Sequence, residues 1–151
     1  MKKSLFKHTM QIRVRNYEVD WQGIVHNANY LLYFEVARIE YLRQLGIRVD
    51  IKSIMGDSRV VVVRNELNYR SPAKFDDLLA VHTRISYIHD TSFAFEGLAE
   101  RAGSSEAIAE NVAVHVWLSA ATGAPMRVHD EFRGIVRGFE GETVTIQDKL
   151  P

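Results

Sequence analysis

The sequence predicts an α+β chain in which one long helix lies against an antiparallel sheet. One early stretch has helical apolar spacing, about five stretches have the two-residue period of strands, and turn-forming residues separate the strands. A helix and a sheet each carry one apolar side that must leave water, and packing one on the other satisfies both.

From His8 to Glu18, Met10, Ile12 and Val14 alternate with Gln11, Arg13 and Arg15, the pattern of a first strand with one wet face. A turn-forming segment with Gly23 follows. Tyr30, Phe34, Ala37, Tyr41 and Leu45 then recur at helical intervals, predicting a helix that starts near Asn27 to Asn29 and stops at Gly46. The asparagines read as caps, because an Asn side-chain oxygen accepts an orphan backbone N–H, and Gly suits the left-handed position after a helix.

In VVVVRNELNYR, Val61, Val63, Leu67 and Tyr69 fall on one predicted core face, with Arg64, Glu66, Asn68 and Arg70 on the other. Leu79, Val81, Ile85 and Tyr87 repeat the alternation. Phe93 and Phe95 follow, then Ile108, Val112, Val114, Val116 and Leu118. Turn signals at Ser71-Pro72, His89-Asp90, Ala102 to Ser105 and Thr122-Gly123 suit an antiparallel meander. Phe132, Ile135, Val136 and Phe139 predict a short C-terminal helix.

At 151 residues, without repeats or Pro-rich linkers, residues 1–151 read as a single domain. One helix cannot cover a whole sheet, so the uncovered part is expected to pair with another subunit in a homodimer or homotetramer. Nineteen basic and nineteen acidic residues give zero net charge, so no excess field draws in nucleic acid or anionic membrane. Zero cysteines exclude disulfides and thiolate chemistry and fit a reducing, cytoplasmic setting. The opening residues lack the apolar run of a signal peptide, and no later stretch approaches transmembrane length. The six histidines include no pair at ligand spacing, so neither metal nor other cofactor is expected.

The chemistry concentrates between the first strand and the helix, in the run from Tyr17 to Tyr30. A carboxylate just before a helix N-terminus sits where backbone N–H groups are unpaired and the helix dipole favours negative charge. Asp20 read alone is a helix-capping acid. Beside N–H donors that can polarise a carbonyl, it becomes a candidate nucleophile or base for acyl transfer.

Asp20, Gly23, Val25, Asn29, Tyr30, Phe34, Glu35, Ala37 and Arg38 together resemble the signature of the 4-hydroxybenzoyl-CoA thioesterase family of hotdog proteins. Asn68 to Pro72, Asp76-Asp77 and Ser92 to Phe95 continue the likeness. The resemblance implies a hotdog fold that hydrolyses acyl-CoA or acyl-carrier-protein thioesters. It puts Asp20 at the catalytic aspartate and the backbone N–H near Asn27 at the carbonyl-polarising donor. It also implies that Gly23, Val25, His26, Tyr30 and Ser92 serve substrate binding. Some relatives carry Arg and Lys for the CoA phosphates before Ser-Phe, where this chain has His89-Asp90-Thr91. Arg70 and Lys74, beside the Ser71-Pro72 turn, are the replacements expected here.

Val60, at the start of the valine run, is expected to line an apolar acyl pocket. Glu35 and Arg38 read most simply as a helical pair three residues apart. Two other functions stay open at this level. A hotdog hydratase or dehydratase would need an acid/base pair, for which His26 with Asp20 is the only nearby candidate. A non-catalytic acyl-CoA-binding protein would keep the fold without the chemistry.

Overall fold

A computed structural model describes residues 1–50 and 56–147. Its strands are β1 (His8–Arg13), β2 (Ser58–Tyr69), β3 (Leu78–Ile88), β4 (Ser92–Arg101), β5 (Ala107–Ser119) and β6 (Thr145–Ile146), with helices α1 (Asn29–Gln44) and α2 (Asp130–Glu140). The sheet order is β1-β3-β4-β5-β2, and β6 pairs with β3. β1 runs antiparallel to β3 with His8 opposite Thr83, whereas the two-residue β6, beyond the five strands expected, runs parallel to β3.

The expected meander holds over β3 to β5, joined by tight turns in which His89 N–H reaches Ser92 O and Arg101 N–H reaches Glu106 O. β2 departs from it. It crosses to the edge beside β5, where Arg70 N–H reaches Ile108 O and Asn111 Nδ2 reaches Glu66 O.

Contacts group the chain into two compact units, and strands β2 to β5 contribute residues to both. The first comprises Met1–Tyr41, Glu66–Arg84 and Gly97–Asn111. Its core is the apolar stripe of α1, namely Tyr30, Tyr33, Phe34 and Ala37, packed with Val14, Leu79, Val81, Ala99, Ile108 and Ala109. The predicted helix therefore buries the predicted face, and it ends before Gly46, whose φ of 76° is the left-handed conformation glycine adopts without strain. Arg38, expected to pair with Glu35, is buried: it feels the Glu35 charge, and its Nη1 also donates to Asn111 Oδ1 at 3.4 Å.

In the second unit α2 lays Phe132 and Val136 into its core. Phe93 stacks on His115 and contacts Phe132 at 5.0 Å between ring centroids. Arg133 is buried among carbonyls, donating to Val128 O at 2.9 Å and Asp90 O at 3.0 Å.

Three local expectations need correction. The first strand ends at Arg13 rather than Glu18, because a 3-10 turn over Asn16–Glu18 curls the chain, closed by reciprocal bonds between Arg15 and Glu18. The helix cap is not an asparagine. Nδ1 of His26 accepts the Ala28 N–H at 3.2 Å, whereas Asn29 Nδ2 donates backward to Glu18 O at 2.7 Å. The valine run does not form core in the single chain: Val60 to Val63 are 37–58% exposed, on both faces of an edge strand.

Buried carboxylates set an acid limit on stability. Burial alone would raise Glu18 and Glu100, but donors from Arg15 and Tyr33 on the first, and from Lys3 and His82 on the second, hold both below the ordinary carboxylate range. The folded chain binds these protons less readily than the unfolded chain. Their stabilisation is thus present above the unfolded pKa of about 4.3 and is lost as pH falls through the depressed folded values. Urea unfolding midpoints are expected to decline gently as pH falls through about 6.5, where burial keeps His8 from taking the proton the unfolded chain takes, and to fall further below pH ~4.5. Substituting Glu100→Gln should flatten that fall.

Candidate active site

The segment from Arg15 to Asn29 leaves β1, curls through the 3-10 turn and enters α1. Asp20 N–H bonds Ile24 O and Gly23 N–H bonds Asp20 O, both at 2.9 Å, making a tight turn in which Gly23 takes φ 76°. Short bridges pin the turn on both sides, Val19 to Val25 and Ile24 to Lys74. Behind it, Val25 N–H reaches Ala73 O at 2.8 Å, and Ala73 N–H donates to Tyr30 Oη at 3.2 Å. The turn after β2 holds its own shape through Lys74 N–H to Asp77 Oδ2 at 2.7 Å, and Asp76 sits at φ 67°, which Asp tolerates.

These elements enclose a cleft of about 460 Å³. Asp20, Gln22, Asn27, Arg70 and Ser71 give it a polar part, and Ile24, Val25, Tyr30, Tyr69 and Pro72 an apolar part. Asp20 is half-buried, and its Oδ1 accepts the Gln22 N–H at 2.8 Å. Among the described residues, Oδ2 of Asp20 accepts no hydrogen bond and the backbone N–H of Asn27 donates none. A carboxylate oxygen and an amide donor thus stand uncommitted in one cleft, just before the N-terminus of a sixteen-residue helix whose dipole favours negative charge there.

Of the residues singled out in the sequence, Asp20, Asn27, Val25, Tyr30 and Arg70 line this cleft. Gly23 shapes the turn and His26 accepts the Ala28 N–H just ahead of the helix; neither is in the lining. Lys74 lies exposed in the bridging turn. Val60 and Ser92 belong to the second contact unit and are not among the lining residues. Arg70 is held by Glu110, with Nε 2.9 Å from Oε2, and keeps about half its side chain exposed.

Tyr69, read from alternation as a core residue, is instead 52% exposed at the cleft, where its hydroxyl donates to Asn27 O at 3.3 Å and its ring meets Tyr30 edge-on at 5.6 Å. Gln22, Ile24, Ser71 and Pro72 also went unassigned. The available signal was position: all four lie in turns flanking the residues that were assigned. Among the described residues no three His, Asp or Glu side chains converge as metal ligands.

An uncommitted carboxylate oxygen and a free amide N–H in one cleft, ahead of a long helix packed on a sheet, are an arrangement suited to acyl transfer. Residues 22–108 match the Thioesterase superfamily, and the chain belongs to that family. The acyl-CoA thioesterase YbgC of Haemophilus influenzae is 36% identical over 85 residues, covering 56% of this chain and 62% of its own length. The chloroplastic acyl-acyl carrier protein thioesterase ATL3 of Arabidopsis thaliana is 29% identical over 126 residues, covering 83% and 65%. The chain thus spans a little under two thirds of the length of these relatives. The crystal structure of a Thermus thermophilus thioesterase complexed with coenzyme A and Zn superposes with a TM-score of 0.78 at 30% identity, over 91% of this chain and 96% of that one. The α+β architecture is the hotdog fold of these thioesterases.

Proposed function

We propose that residues 1–151 form one hotdog domain that hydrolyses acyl thioesters, with Asp20 as the catalytic carboxylate. The observation that carries this reading is the pairing, in one cleft, of Asp20 Oδ2 and the Asn27 N–H, both uncommitted among the described residues. A thioester carbonyl placed between them would accept the N–H, and the helix N-terminus would stabilise charge as it develops on the oxygen. Asp20 then attacks the carbonyl carbon, or takes a proton from a water that attacks it. If water attacks, its C–O bond forms as the C–S bond breaks, and the proton that Asp20 took passes to the leaving thiolate. If Asp20 attacks, breakage of the C–S bond leaves a mixed anhydride and the thiolate; water then hydrolyses the anhydride to free acid and Asp20 carboxylate, its proton going to the thiolate.

The names of the relatives support either coenzyme A or a carrier protein as the thiol. The cleft's own cations, Arg70 in its lining and Lys74 beside it, suit the phosphates of coenzyme A at an exposed rim. The sequence expectations for Val60 and Ser92 as substrate contacts belong to the same proposal, as does a cytoplasmic setting. The test is a panel of short, medium and long acyl-CoAs, a benzoyl-CoA and matching carrier-protein thioesters, with a thiol reagent reporting release. Turnover of at least one is expected. A panel in which none turns over overturns the reading.

We also propose that the chain pairs with a second copy along β2. An edge strand among the described residues, carrying four exposed valines, offers apolar surface that a partner strand would cover. Light scattering is expected to give the mass of two or four chains, and Val61→Lys with Val63→Lys should shift it toward one. A monomeric wild-type chain would sink this assembly.

A further inference from the structure

The cleft depends on a buried group that does not line it. Glu18 is 3% exposed, yet its carboxylate is fully served. Oε2 accepts Arg15 N–H and Tyr33 Oη, each at 2.7 Å, and Oε1 accepts Arg15 Nε at 2.8 Å and Nη2. A carboxylate so deeply buried remains charged only because such donors replace its water. The same residue's carbonyl oxygen accepts His26 N–H at 2.9 Å and Asn29 Nδ2 at 2.7 Å.

Glu18 therefore joins three parts of the chain. Arg15 lies just beyond β1, Tyr33 sits in the second turn of α1, and His26 immediately precedes the residue whose N–H is free. Asp20 follows Glu18 by two residues. The separation between the carboxylate and the amide donor is consequently set through one buried hub, whose side chain fixes it to the helix and whose backbone fixes the donor side of the loop.

We propose that Glu18 is a positioning residue for thioester hydrolysis, holding Asp20 and the Asn27 N–H in register. This rests on the reading that those two groups form the catalytic pair. A misplacement of about 1 Å at a reacting centre is worth roughly a hundredfold in rate.

Steady-state rates on the best thioester of the panel test the proposal, measured at 15 °C so that each variant is fully folded, with circular dichroism and a thermal melt alongside. Glu18→Gln keeps one acceptor oxygen but loses the charge that holds Arg15, and kcat is expected to fall about a hundredfold with KM within a factor of about three. Tyr33→Phe removes a single donor, so a fall in kcat of about fivefold with the same KM is expected. It also decides the question if Glu18→Gln does not fold. A purely structural role would lower the melting point of both variants and leave kcat of the folded protein at the wild-type value; that result overturns the positioning role. Asp20→Asn separates the two claims. If it lowers kcat about a thousandfold while Tyr33→Phe and any folded Glu18→Gln keep full kcat, only the positioning role fails. Full activity in Asp20→Asn removes the catalytic pair and this proposal with it.

Discussion

Asp20→Asn is expected to lower kcat for thioester hydrolysis about a thousandfold, within the range of roughly 10² to 10⁴ found when a positioned base is removed, and to leave KM within a factor of about three. The substitution is nearly isosteric, and its amide oxygen can still accept the Gln22 N–H that Asp20 Oδ1 accepts at 2.8 Å. The turn closed by Asp20 N–H to Ile24 O and Gly23 N–H to Asp20 O uses backbone alone and survives. What disappears is the charge and the basicity of the oxygen left uncommitted in the cleft. An amide neither attacks a thioester efficiently nor takes a proton from water, so the loss should fall on kcat. Residual turnover is expected because the Asn27 N–H and the helix N-terminus still polarise the carbonyl. Stopped assays of thiol release under saturating substrate measure the effect. A variant within tenfold of wild type would mean that the carboxylate acts by capping the loop rather than by chemistry.

The elements that the sequence made legible are those whose determinants are local. Tyr30, Phe34, Ala37 and Tyr41 announce α1 because helical neighbours lie three and four residues apart, and Gly46 marks its end by the same short-range logic. Asp20 and Asn27 stand seven residues apart, within one turn segment, so a motif captures both.

Strand order is different in kind. Nothing in VVVVRNELNYR says that β2 leaves the meander for the edge beside β5, because that choice is made by residues about forty positions away. Period-two alternation put Tyr69 with Leu67 in the core because it carries no information on where the sheet gives way to the cleft. Glu18 was hidden for a related reason. The strand period gives no sign of its partners, and only the 3-10 turn brings Arg15 and Tyr33 onto its carboxylate. The residues that organise the site, unlike those proposed to act in it, are defined by contacts distant in sequence.

Gly97→Ala is expected to cost about 2 kcal/mol of folding stability, in the range of roughly 1–3 kcal/mol for overpacking a filled core, and to lower the melting point by about 4–8 °C. A Cβ built at this position in β4 would lie 2.5 Å from Cδ1 and 2.7 Å from Cε1 of Phe34, closer than non-bonded carbons approach. Phe34 is 1% exposed and belongs to the α1 stripe at the centre of the first unit's core, so its ring has no solvent side into which to swing. Strand and helix must move apart instead. That displacement reaches the site, because the same helix carries Tyr33 against Glu18 and Tyr30 into the cleft lining. Loss of stability should therefore be accompanied by a fall in kcat.

The cause can be isolated with a second change. Phe34→Leu alone should be destabilising by removing ring contacts, but with Gly97→Ala it supplies the space the new methyl needs. The double variant is expected to be at least about 1 kcal/mol more stable than the sum of the two single changes predicts, the coupling found between residues in direct contact. Additive losses, or a Gly97→Ala chain that melts with the wild type, would show that the close approach of β4 to Phe34 does not fix where α1 lies.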